Sequence, residues 1–129
     1  MQNGRCNGGI AIVDDQRSIV DIYSKILIAK NIPIAFIAYD GEEAVNKFTS
    51  CMPRPKVVLM DFRMPSMNGL EASKIIWKIE PSTKIIFVSA DSGVKEEAIK
   101  AGAAGFIQKP ASLREIVLEV ECVINKANC

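Results

Sequence analysis

The sequence predicts an α/β fold, a doubly wound five-stranded parallel sheet of (βα)5 type. Five short apolar runs alternate along the chain with longer stretches of helical periodicity. Turn and capping residues stand at the junctions between them. Strands and helices in strict alternation imply right-handed crossovers and helices on both faces of one sheet.

Residues 9–13, with the run Ile10-Ala11-Ile12-Val13, read as a first buried strand. Further buried strands are expected at 34–38, 57–60, 84–88 and 105–107. They are short and several are β-branched, as inner parallel strands tend to be. In the first helix Ile19, Ile22, Tyr23, Ile26 and Leu27 recur at three- and four-residue steps, which gives one apolar stripe. Asn31 and Pro33 close it. Three helix starts carry an acceptor followed three residues later by glutamate: Asp40 with Glu43, Asn68 with Glu71, Ser112 with Glu115. This capping-box spacing satisfies exposed backbone donors in the first turn. The last helix carries Leu113, Ile116, Val117, Val120 and Val123 or Ile124 as its core stripe. Trp77 is expected on the third helix as a packing residue.

The chain has 129 residues and a formal net charge of +1, which fits one ordinary domain with no electrostatic bias toward nucleic acid. Residues 9–126 are expected to form that domain, with 1–8 a disordered, polar lead-in rather than a signal peptide. No apolar run is long enough for membrane insertion. Cys6, Cys51, Cys122 and Cys129 form no CxxC pair, and reduced thiols are expected. The chain contains no histidine, so a histidine nucleophile or a Ser-His-Asp triad is excluded. Any phosphohistidine in its chemistry belongs to another protein.

In a sheet of this kind ligands bind outside the carboxyl ends of the strands. Asp14-Asp15 follow the first strand, Asp61 the third, Ser89 the fourth and Lys109-Pro110 the fifth. Fold logic gathers three carboxylates, a hydroxyl and an ammonium at one edge. Each alone passes for a cap or a solvated charge. Together, three carboxylates repel one another and raise their pKa values unless a cation joins them. A hard divalent cation such as Mg2+ suits oxygen ligands of this kind, and Lys109 suits an anion beside it.

Four segments in order carry a family resemblance: the acidic pair Asp14-Asp15, the stretch 61–69 that starts at Asp61, the step Ser89-Ala90, and the stretch 101–110 that ends in Lys109-Pro110. With them the chain resembles the response regulator receiver family over residues 9–126, nearly its whole length. The resemblance implies a flavodoxin-like strand order of 2-1-3-4-5 and a stand-alone, CheY-like receiver in a two-component phosphorelay. It implies Asp61 as the phosphoacceptor. It implies Mg2+ held by Asp14, Asp15, Asp61 and the backbone carbonyl of Arg63. Lys109 and Ser89 would contact phosphoryl oxygens, and Phe106 would be the aromatic switch. A cis Lys109-Pro110 bond is part of the same resemblance. Most receivers carry Asp where Asn68 stands; here Asn68 reads as a helix cap.

Expected partners are a sensor histidine kinase or phosphotransfer protein, then a downstream target protein or a second copy of the chain. The expected signalling face comprises the fourth helix, fifth strand and fifth helix, roughly 94–101, 106–108 and 112–124. A cytoplasmic location is expected, with no direct nucleic-acid contact. The chain would act as a signalling phosphoacceptor rather than an enzyme, while assisting its own phosphorylation and dephosphorylation. A flavin protein would need a hydroxyl- and glycine-rich loop where Asp14-Asp15-Gln16-Arg17-Ser18 stands. An aspartyl phosphohydrolase would resemble an Asp-x-Asp pattern after the first strand, where the acids here are adjacent. Arg63 and Asp91, two residues beyond Asp61 and Ser89, are expected to pair at the rim and slow attack by water.

Overall fold

A computed structural model describes residues 8–125. The strands are β1 (Ile10–Val13), β2 (Ile34–Ala38), β3 (Val57–Asp61), β4 (Lys84–Ser89) and β5 (Gly105–Gln108). The helices are α1 (Arg17–Ala29), α2 (Gly41–Ser50), α3 (Gly69–Ile79), α4 (Lys95–Ala101) and α5 (Leu113–Asn125). A 3-10 turn, Ser92–Val94, precedes α4. The expected lead-in falls outside the described residues except for Gly8.

The strands pair in parallel in the order β2-β1-β3-β4-β5. Side chains alternate across the sheet and feed two separate apolar layers. One layer joins Val13, Val58, Met60, Ile85 and Phe87 to Phe48, Leu70, Ile76 and Ala98 from α2, α3 and α4. The other joins Ile12, Leu59, Ile86, Val88 and Ile107 to Val20, Leu27, Ile116 and Val120 from α1 and α5. Phe48, Phe87, Ile76 and Ile116 are wholly buried. Burying a side chain of this size contributes about 1.5–3 kcal/mol. Phe62 meets the Phe87 ring edge-on at 5.3 Å, tying the loop after β3 to the core under the site.

The capping pattern is realised with one variation. Asn68 accepts from the Glu71 N–H, and the Asn68 N–H donates to the Glu71 carboxylate. Ser112 and Glu115 exchange the same pair of bonds. Asp40 accepts from Glu43, but Glu43 reaches back to the Tyr39 N–H instead of Asp40. Asn31 ends α1 with φ of 65°, which asparagine tolerates better than most residues.

Four expectations need correction. Strand β2 was expected to be buried, yet only Ala38 is; the strand is a sheet edge, flanked on one side alone. The stripe of α1 runs through Val20, Tyr23, Ser24 and Leu27, and Ile22 is 45% exposed. In α5, Ile116, Val117, Val120 and Val123 face the core, while Leu113 and Ile124 face outward. Cys51 and Cys122 are each engaged in a disulfide rather than reduced. Connectivity of that kind leaves no trace in cysteine spacing; Cys6 and Cys129 lie outside the described residues.

Candidate functional site: an acidic corner at the strand ends

Asp14 follows β1 directly, and its N–H donates to Ala38 O at 3.1 Å, continuing the sheet pairing by one residue. The side chain is buried, and its Oδ1 accepts the Gln16 N–H at 2.9 Å, which shapes the turn into α1. Asp15 is exposed on the same turn. Asp61 is the last residue of β3, opposite Val88, and is 6% exposed. One carboxylate oxygen from each of Asp14, Asp15 and Asp61 lies within 4.8 Å of the others.

Lys109 enters from beyond β5. Its N–H donates to Ser89 O at 2.8 Å, and its peptide bond to Pro110 is cis. The ammonium lies 3.1 Å from Asp14 Oδ2 and 3.6 Å from Asp61 Oδ1. Burial draws that ammonium down, but Asp14 and Asp61 outweigh it and hold Lys109 above the ordinary lysine range. Burial pushes the Asp61 carboxyl up, Asp14 and Asp15 add to the rise, Lys109 opposes it, and the result is a pKa of about 7. The corner therefore combines three acids and one base, an excess of two negative charges when all are ionised.

Ser89 ends β4, is buried, and accepts the Asp91 N–H at 3.0 Å. Arg63 turns outward and donates to Asp91 Oδ2 at 2.6 Å across the rim. The expected rim pair is thus present, between two exposed side chains. Arg63 beside it, with the Gly93 N–H, holds the Asp91 carboxyl below the usual range. Phe106 stands apart from the acids. It lies on β5 opposite Phe87, half-buried against the layer that contains Val94 and Ala98.

Three further residues were given no role at the site from sequence. Gly69 N–H donates to Phe62 O at 2.8 Å, and a Cβ there would collide with the Asp61 carbonyl oxygen. Only glycine lets α3 start against the strand that carries Asp61. A glycine six residues after Arg63 gives no such warning in the sequence, because the approach is made by folding. Tyr23, buried on α1, has its hydroxyl pKa raised by burial, with Lys109 opposing and Asp14 and Asp61 adding to the rise, so it lies within the field of the corner. Arg17 lies 3.9 Å above the Tyr39 ring and pins the start of α1 to the chain after β2.

The donor set fits Mg2+. An octahedral Mg2+ site has oxygens at about 2.1 Å, so opposite ligands stand roughly 4 Å apart. The three carboxylate oxygens, within 4.8 Å of one another, stand close to that spacing. The excess negative charge and the raised Asp61 favour the same ion.

Fold, corner and sequence pattern converge on one class. Residues 10–121 match the response regulator receiver domain pattern, and the chain belongs to that family, the phosphoaccepting signalling module of two-component systems. Among its relatives, the chemotaxis protein CheY of Thermotoga maritima is 40% identical over 110 residues, 84% of this chain and 90% of that protein. Among solved structures, the CheX-CheY-BeF3-Mg2+ complex from Borrelia burgdorferi contains a chain 29% identical, with a TM-score of 0.83 over 89% of this chain and 87% of the other. The response regulator TrrA of Thermotoga maritima, solved with Mg2+ and BeF, is 28% identical with a TM-score of 0.79 over 92% of this chain and 97% of the other. No helix among the described residues is long and apolar enough to cross a membrane.

Proposed function

We propose that Asp61 accepts a phosphoryl group in a Mg2+-dependent reaction, with the domain spanning residues 9–126. The observation that carries the proposal is Lys109, seated between Asp14 and Asp61 in the corner that Asp15 completes. An Asp61 oxygen attacks the phosphorus of a donor phosphohistidine or small acyl phosphate. The new bond is O–P, and the donor's P–N or P–O bond breaks with its electron pair leaving on the donor. Asp14, Asp15, Asp61 and the Arg63 carbonyl would hold Mg2+, which supplies positive charge against the phosphoryl oxygens. Lys109 exchanges its contact with Asp61 for one to a phosphoryl oxygen, a short move for an ammonium 3.6 Å away. Such transfer asks the protein mainly for positioning and charge stabilisation. Ser89 then donates its hydroxyl proton in a hydrogen bond to the same group, and Phe106 follows into the space it leaves.

The donor in the cell is a sensor histidine kinase or a phosphotransfer protein, in keeping with the family to which the domain belongs. Transfer alters the face of α4, β5 and α5 and changes affinity for a target protein or a second copy. Relatives named as chemotaxis proteins and the CheX complex favour a protein target. A cytoplasmic place fits a donor of that kind. The test is exposure to acetyl phosphate with and without Mg2+, read by intact mass. One phosphoryl is expected on the wild type with Mg2+ and none on Asp61→Asn. Labelling at another residue, or none at all, overturns the assignment.

A further inference from the structure

Asp91 is a joint rather than a simple rim charge. Its N–H donates to Ser89 Oγ at 3.0 Å. Its Oδ1 accepts the Gly93 N–H at 2.9 Å and so caps the 3-10 turn before α4. Its carbonyl accepts the Val94 N–H at 3.3 Å, and Val94 is buried in the layer against which Phe106 packs. Its Oδ2 is held by Arg63 at 2.6 Å, from the loop after β3. One residue thereby links the hydroxyl expected to meet a phosphoryl group, the turn that positions α4, and the loop that follows Asp61.

We infer that the Arg63–Asp91 ion pair is a latch across the site mouth that holds the β4–α4 connection in its unphosphorylated form. The inference rests on the reading of Asp61 as phosphoacceptor and concerns how that site is regulated. When the Ser89 hydroxyl rotates toward a phosphoryl group it leaves the Asp91 N–H, and Asp91 must shift. While Arg63 grips the carboxylate, that shift is opposed from the far side of the mouth. Removing the grip favours the shifted form before any phosphoryl group arrives. A ligand that selects the shifted form then binds more tightly, because less of its binding is consumed in moving the population. The pair is exposed, so the effect is modest, about two- to fivefold.

The test is titration of the full chain with beryllofluoride and Mg2+, followed by backbone amide NMR. Asp91→Asn keeps the side-chain oxygen that caps Gly93 and loses the charge that Arg63 holds. Arg63→Gln removes the other half of the pair. Each variant is expected to bind the phosphoryl mimic about two- to fivefold more tightly than wild type, and the double variant no more tightly than either single one. In the ligand-free variants the Gly93 and Val94 signals are expected to move part of the way toward their ligand-bound positions, which a loss of general stability would not produce. Unchanged affinity in both variants, with normal wild-type binding, overturns the latch and leaves the phosphoacceptor reading intact. Weaker binding by Arg63→Gln also overturns it and marks the guanidinium as a direct contact of the anion. Failure of the wild type to bind the mimic overturns both readings.

Discussion

Lys109 is bonded more closely to Asp14 than to Asp61, at 3.1 Å against 3.6 Å. On the proposed metal site the ammonium therefore occupies a carboxylate that Mg2+ would also use, and cation and lysine would compete for Asp14. Lys109→Met is expected to tighten Mg2+ binding roughly three- to tenfold. That is the scale of one unit charge removed a few ångströms away in watery surroundings. The same variant is expected to lose phosphorylation by acetyl phosphate by about a hundredfold, the usual scale for deleting one stabilising donor. Calorimetric Mg2+ titration and a mass-based labelling rate check the two halves separately.

Asp61 gives a pH dependence with a definite sign. Its pKa rises from 3.8 to about 7 on folding. Across that window the native state binds more protons than the unfolded chain, so this group favours folding at low pH and ceases to as pH rises through 7. In Mg2+-free buffer, Asp61→Asn is expected to be more stable than wild type at pH 8, by about 2 kcal/mol, and the gap is expected to close toward pH 4. Mg2+ is expected to raise the wild-type melting temperature more than that of the variant. Thermal melts at several pH values measure all three.

Gly69 presses against the Asp61 carbonyl, and no side chain fits there. Gly69→Ala is expected to lower stability by about 2–4 kcal/mol and to slow phosphorylation, because the strand end and the acceptor move together. Asn68→Ala, which removes the neighbouring cap, is expected to cost only about 1 kcal/mol and leave the labelling rate near wild type. Chemical denaturation paired with the labelling assay separates them.

Ile99 on α4 and Leu118 on α5 are 47% and 51% exposed. Replacing both by serine is expected to change stability by less than about 0.5 kcal/mol per site and to leave phosphorylation intact. Affinity for a target of the α4–β5–α5 face is expected to fall at least tenfold in the phosphorylated form. Binding measured with the beryllofluoride-loaded protein checks it.

Much of the site was legible because chemistry at strand ends follows from strand order alone. Asp14, Asp15, Asp61 and Lys109 could be placed together once the alternating elements were recognised. The Arg63–Asp91 pair followed from counting two residues past neighbouring strands. What sequence did not give was decided by neighbours distant in the chain. Val20 faces inward and Ile22 outward because α1 packs against β1, β2 and α5 together, and those neighbours set the buried stripe. Strand β2 is apolar like an inner strand, yet its place at the edge leaves Phe36 and Ile37 half-exposed. The bond between Lys109 and Asp14 depends on side-chain reach across 95 positions, which no periodicity encodes.

Phe106 and Ile107 are adjacent in β5 but belong to opposite sides of the sheet. On the proposed reading of Phe106 as the switch, its movement is met first by a single storey of the molecule, the one that houses α4. The storey beneath, where the inward stripes of α1 and α5 meet, is packed on the other side of the sheet from that ring. Drift among those inward residues is expected to retune melting temperature, while the outer side of α5, with Leu118, stays with the docking face.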